Sequence, residues 1–134
     1  MSRDREALQD LMLTDAAAVD ERDRQRYADC FDEDVEVFGF SAGPVTGRDN
    51  WLAYVFSALE KYQASQHLLG PPLARIDGDH ASLRTDFQAM HRFREGGDAT
   101  RFTLWATYRT EARRIDGVWK IARHELVVRD SETR

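Results

Sequence analysis

Cysteine is almost missing from this chain: Cys30 is the single thiol in 134 residues. No internal disulfide framework can form, and the run Tyr27-Ala28-Asp29-Cys30-Phe31 reads as a buried structural thiol rather than a nucleophile, which needs an electropositive, open setting. Long hydrophobic runs are missing too. Nothing approaches the roughly 20 apolar residues of a membrane span. The start Ser2-Arg3-Asp4-Arg5-Glu6 holds no apolar signal core, so the sequence predicts a cytoplasmic protein without membrane contact. Basic residues are the minority, 19 Lys and Arg against 24 Asp and Glu, for a net charge of −5. With no basic cluster interleaved with aromatics, nucleic acid is excluded as the expected partner. Glycine-rich phosphate loops are absent, and the four histidines lack the short spacing of a zinc site, so neither a metal nor a cofactor is expected.

What is present is the composition of a globular protein: 42% hydrophobic and 32% charged residues. Without linkers, repeats or low-complexity stretches, residues 1–134 read as one domain, large enough for a core of its own. From about Arg5 to Val19, Leu8, Leu11, Met12 and Val19 recur at helical spacing. At 100° per residue, Met12, Asp15 and Val19 all fall within about 40° of Leu8, which aims the Asp15 carboxylate at the core. Asp23 reads as the N-cap of a short helix from Arg24 to Phe31, with Tyr27, Cys30 and Phe31 facing inward. Asp32-Glu33-Asp34 ends it, and Val35, Val37 and Phe38 begin a strand. Thr46 and Asp49 resemble a capping box before a helix with Trp51, Leu52, Val55, Phe56 and Leu59 on one face.

The pattern turns to strands at His67, where that helix hands over to a sheet. Leu83, Thr85, Phe87, Ala89, His91 and Phe93 alternate with polar residues, and Asp77-Gly78 and Asp116-Gly117 are hairpin signals. Helices first and long strands afterwards predict an α+β fold: a curved antiparallel β-sheet with the N-terminal helices packed on one face, forming a cone-shaped pocket. Trp105 lies opposite Phe102, Leu104 and Tyr108 on its strand, and Trp119 and Ile121 lie opposite Val118 and Val128. Apolar residues on both faces predict a homodimer or homotrimer through the sheet face. Strict alternation groups His124 with Val118 and Val128, and a bulge is needed before it can share a face with Trp119 and Ile121.

The segments Asp20 to Asp23, Tyr27-Ala28-Asp29-Cys30-Phe31-Asp32-Glu33-Asp34-Val35, Thr46-Gly47-Arg48-Asp49, Gln66-His67-Leu68-Leu69-Gly70, Ile76-Asp77-Gly78-Asp79 and Asp116-Gly117-Val118-Trp119-Lys120-Ile121 carry a resemblance. Together they resemble the SnoaL-like branch of the NTF2-like superfamily, over nearly the whole chain. The resemblance implies the NTF2-like α+β barrel. In lyase members of the branch a histidine removes a proton and an aspartate orients it, and the matching positions are His67 and Asp20. Five residues before that aspartate those members carry a tyrosine or lysine that contacts substrate, whereas this chain has Asp15. His124 falls near a position that carries a cation in some members.

The resulting expectation is a cofactor-independent lyase or isomerase acting on a small hydrophobic cyclic molecule. His67 and Asp20 are the catalytic pair, Asp15 and His124 contact substrate oxygen, and the rings of Trp51, Tyr54 and Phe56 grip the apolar body. Each residue also has a structural reading: His67 as an imidazole bonded to a carbonyl at a helix end, Asp20 as a turn residue, Asp15 as half of a buried pair, the rings as core. Two other functions fit the same fold, a non-catalytic module holding a hydrophobic ligand or recruiting a partner, and a structural subunit resembling the small subunit of ring-hydroxylating dioxygenases.

Overall fold

The computed structural model of the chain describes residues 2–134. Helix α1 (Ser2–Asp20) buries the stripe expected of it: Leu8, Met12 and Val19 face the core, and Asp15 lies among them at 3% exposure. A Schellman turn stops the helix. The Asp23 amide donates to the Ala18 carbonyl and the Arg22 amide to that of Val19, with Arg22 left-handed at φ 58°. Asp23 then caps α2 (Arg24–Ala28), its carboxylate accepting from the Arg26 amide. This helix is shorter than its sequence suggests, because Phe31 is drawn into strand β1 (Phe31–Phe38) by pairing with Ile121.

After β2 (Val45–Thr46), α3 (Arg48–Ala58) starts at Gly47, whose φ of 91° and missing side chain rule out the capping box expected from Thr46 and Asp49. A 3₁₀ turn, Leu59–Lys61, leads directly into β3 (Tyr62–Leu69), followed by β4 (Leu73–Asp77), β5 (His80–Phe93), β6 (Arg101–Ile115) and β7 (Val118–Thr133). His67 therefore sits inside a strand, not at a helix-to-sheet junction. Residues Gln63 to Gln66 lack the apolar alternation of a strand, and it is their pairing along β5 that makes them one.

The sheet order is β2-β1-β7-β6-β5-β3, with β4 also pairing to β5, so β2 and β3 are unjoined edges and the sheet curves without closing. It is mixed rather than wholly antiparallel. β1 runs parallel to β7, a pairing that becomes possible because the helices carry the chain across between non-consecutive strands. The helices fill the concave side. Phe31 and Trp51, 0% and 1% exposed, anchor that core, and each contributes about 2 to 3 kcal/mol by burial alone.

Two bulges decide what β7 points inward. Opposite the consecutive pair Glu111 and Ala112 of β6 stand Arg123 and Ile121, so Ala122 is an extra residue, and opposite Trp105 and Ala106 stand Asp130 and Val128, so Arg129 is another. Trp119 and Ile121 face the core before the first bulge, and His124 and Leu126 after it. The conflict posed by strict alternation is resolved within one strand. Val118 remains exposed at 52%. At the β6–β7 hairpin, Asp116 and Gly117 both take positive φ, 51° and 80°, the backbone that a tight two-residue turn requires.

Candidate active site

His67 and Asp20 meet. His67 points to the concave side from β3, and Asp20 ends α1 directly above it, so the contact follows from packing the C-terminal turn of α1 onto β3. The His67 ring nitrogen Nδ1 lies 2.8 Å from Asp20 Oδ1, and the His67 backbone amide donates to Oδ2 at 2.7 Å. Ser65, two residues earlier on the same face, donates its hydroxyl to Oδ1 at 2.9 Å. Burial by itself raises the proton affinity of Asp20. The ring bond, charge and amide of His67 and the Ser65 hydroxyl outweigh it and hold the carboxyl below its ordinary value. An ionised carboxylate only accepts, so Nδ1 carries a proton, and in the neutral form of the ring the free lone pair is on Nε2.

The ring lines an apolar cavity of about 330 Å³ whose lining includes the buried Trp51, Tyr27, Tyr62 and Tyr108 and, where it meets solvent, the exposed Lys61. Asp20 is not on that wall; it stands behind the histidine, toward the outer side of α1. Phe87 stacks on both the His67 ring, at 5.9 Å between centroids, and the Tyr108 ring, at 4.1 Å. His91 meets His67 edge-on at 5.7 Å, and burial together with the His67 charge lowers its pKa to about 4. It is neutral, as expected of a satisfied sheet histidine, and it also lines the cavity. A larger groove of about 540 Å³ runs along the outer sheet face between Arg84, Arg109 and Arg123, and contains neither His67 nor Asp20.

The remaining expected residues separate into those on the wall and those behind it. Trp51 and Tyr54 line the cavity, stacked at 5.6 Å; the Trp51 indole donates to the Tyr27 oxygen at 3.1 Å and the Tyr54 hydroxyl to the Phe40 carbonyl at 2.8 Å. Phe56 does not line it. One residue round the helix from Val55, its ring turns toward α2, against Tyr27 and beneath Arg24. His124 is sealed off at 1% exposure behind Phe40 and Tyr108, with Thr110 at 3.0 Å from its Nδ1. Burial pushes its pKa down to about 3, so it carries no charge for an oxyanion. Asp15 is buried without a partner on Oδ1, and desolvation lifts its pKa to about 7 against the opposing pull of His67. Neither Asp15 nor His124 is on the cavity wall.

Sequence reasoning passed over Ser65, Tyr27, Tyr108 and Lys61. Once β3 is known to be a strand, Ser65 is visible from its spacing to His67. Tyr108 was assigned only as an apolar residue of β6. Burial holds the hydroxyls of Tyr27 and Tyr108 protonated, with pKa well above the ordinary value. Among the described residues no group of acidic, histidine and cysteine side chains has the makings of a metal site, and no helix is long and apolar enough to cross a membrane.

Helices covering a curved, open mixed sheet around an apolar chamber, with the His67 imidazole on its wall, make an NTF2-like fold. The chain belongs to the SnoaL-like domain family, whose pattern matches residues 1–125. Solved structures agree on the fold. Hexachlorocyclohexane dehydrochlorinase from Novosphingobium barchaimii superposes with a TM-score of 0.87 at 22% identity, over 98% of this chain and 90% of that one. A protein assigned as a scytalone dehydratase from Novosphingobium aromaticivorans gives 0.87 at 22% identity, over 95% and 85%. Another from the same organism, assigned as an aromatic ring hydroxylase, gives 0.88 at 26% identity, over 100% and 95%. No curated protein sequence matches the chain.

Proposed function

We propose that this protein is a cofactor-independent lyase or isomerase that removes a proton from carbon on a small, largely apolar cyclic molecule bearing a carbonyl or hydroxyl. The observation that carries the proposal is the 2.8 Å contact of His67 Nδ1 with Asp20, on a ring whose other edge borders the cavity. Nε2 takes the proton, and the carboxylate stabilises the imidazolium and fixes its tautomer. As the C–H bond breaks, its electron pair either forms a C=C bond and expels a group from the adjacent carbon, or moves onto a carbonyl oxygen to give an enolate that is reprotonated elsewhere. Oxygen that gains charge or leaves needs a donor. Asp15 and His124 lie behind the wall, so that role passes to Tyr27 and Tyr108, whose protonated hydroxyls donate to no protein acceptor among the described residues.

The dehydrochlorinase and the dehydratase-like protein named above support an elimination chemistry on this fold. The reading further comprises a cytoplasmic enzyme and a homodimer or homotrimer through the outer sheet face, where Trp105 and its neighbours lie; light scattering measures the subunit number. The test of the reaction is incubation in D₂O with a panel of cyclic ketones, hydroxylated aromatics and steroids, followed by mass spectrometry. One class gains deuterium or loses water or acid with the parent protein, and the change disappears with His67→Ala. Full turnover by His67→Ala sinks the reading.

One observation favours the second reading, a module that holds a hydrophobic ligand unchanged: the substrate-contacting tyrosine or lysine of the lyases is here the buried Asp15. Recovery of an intact ligand from the purified protein, with no deuterium exchange, decides for it.

A further inference from the structure

We propose that the ligand of this cavity carries an anionic substituent, held at the mouth by Arg22, Lys61 and Arg94 while its apolar ring lies inside. The inference rests on the reading of the cavity as a ligand site and adds the charge class of what it takes.

Three observations bear on this end of the cavity, whose lining includes Lys61 and is flanked by Arg22 and Arg94 through their contacts with Val19 and Lys61. Lys61 is the one fully charged side chain on a wall otherwise made of apolar residues, aromatic rings and two histidines, and its ammonium lies 5.3 Å from the centre of the Tyr62 ring, itself part of that wall. Arg94 is tied to the same corner, its amide donating to the Lys61 carbonyl at 3.1 Å and its Nε to that of Glu60 at 2.6 Å. Arg22 comes from the other side, donating to the Val19 carbonyl at 2.6 Å and to Ser65 at 2.9 Å. Its Nη2 is buried with no partner. Burial disfavours the charged form of Arg22; the charge of Asp20 favours it and that of Arg94 opposes it.

Among the described residues none of these cations forms an ion pair within 4.0 Å, in a chain whose net charge is −5. The Asp20 oxygens are taken up by His67 and Ser65. Backbone conformation adds an independent argument. Arg22 occupies the left-handed position that ends α1, where glycine is the residue without steric cost. A side chain is kept there at a cost, and it carries a buried guanidinium nitrogen that meets no acceptor among the described residues. A carboxylate between the three groups would supply that partner and relieve their mutual repulsion.

The test uses the full chain and a matched pair of probes that differ in charge alone, naphthalene-2-carboxylate and naphthalene-2-carboxamide, with binding measured by calorimetry at low and high salt. The carboxylate binds about tenfold more tightly at low salt, and the preference shrinks as salt screens it. Lys61→Gln combined with Arg94→Gln, both exposed positions, removes the preference by bringing carboxylate affinity down to that of the carboxamide; Arg22→Gln reduces the preference further than either single change. Equal affinity for the two probes, or an undiminished preference in the double variant, overturns the inference while leaving proton abstraction by His67 untouched. Failure of the parent protein to bind either probe also overturns the inference, while deuterium exchange on the substrate panel decides the reading of His67 separately. A His67→Ala variant that keeps the carboxylate preference but loses deuterium exchange separates the rim from the chemistry.

Discussion

Asp20 grips His67 twice, at the ring and at the backbone, through its two oxygens at 2.8 and 2.7 Å. One carboxylate thereby sets the tautomer of the imidazole and fixes the height of β3 against the end of α1. A side chain on a helix terminus can do both because the residue it serves is in the interior of a strand, where the ring and the amide of one residue are held in fixed relation.

Asp20→Asn tests this double grip. The amide keeps the size of the carboxylate but presents a donor on one side, so it cannot accept from both the ring and the amide of His67. Turnover falls about 10³-fold or more, by the loss of the correct tautomer. Stability falls by about 1 to 3 kcal/mol, for a buried bond left unmade. Steady-state rates and urea unfolding measure the two effects separately, and nitrogen-15 shifts of the ring report the tautomer.

Asp15 makes stability depend on pH in an unusual direction. Its pKa rises from 3.8 unfolded to about 7 folded, so between those values the native state binds the extra proton. Its contribution is fully present below about pH 4 and is lost as pH rises through 7. Asp15→Asn, neutral at every pH, therefore stabilises the protein at pH 8, on the order of a few kcal/mol, and changes little at pH 4. His91 and His124 act in the opposite sense. Their folded values of about 4 and about 3 lie below the unfolded 6.5, so what they contribute is complete above 6.5 and lost on acidification. Urea midpoints for parent and variant across pH 4 to 8 check the sign; a variant destabilised at pH 8 contradicts it.

Gly39 lines the cavity and packs directly against the β7 backbone. At φ 88° a Cβ there would stand 2.2 Å from the Leu126 carbonyl oxygen, which belongs to the β7 backbone and cannot swing aside. Gly39→Ala costs about 1 to 3 kcal/mol or more and shifts β7 where it borders the cavity. Urea unfolding reads the first effect, and weakened probe binding in the folded variant reads the second.

The α1 stripe with its misplaced acid, the Asp23 cap, the alternation of β5 and the Asp116-Gly117 turn were all readable in the sequence because each is a local pattern. What escaped it was decided by contacts distant along the chain. β3 has little alternation of its own and exists by pairing with β5, and that hid Ser65 and the strand setting of His67. The parallel seat of β1 beside β7 took Phe31 out of its helix. Within the site, His67 and Asp20 were found through a family pattern, and their meeting needed the fold. Phe56 and Val55 are adjacent on one helix, and only the position of α2 determines which of them reaches the chamber. Asp15 was correctly aimed inward, but periodicity cannot distinguish a wall from the core behind it.

The extra residue Ala122 has a consequence for how such a protein changes. Because the extra residue stands outside the alternation, deleting it would restore regular pairing and leave His124 and Leu126 as the interior set, whereas straightening the strand with Ala122 retained would turn Arg123 and Glu125 inward. Loss of three nucleotides at this strand position is therefore a silent step for the interior, whereas smoothing the kink without losing the residue re-dresses a whole side of the sheet.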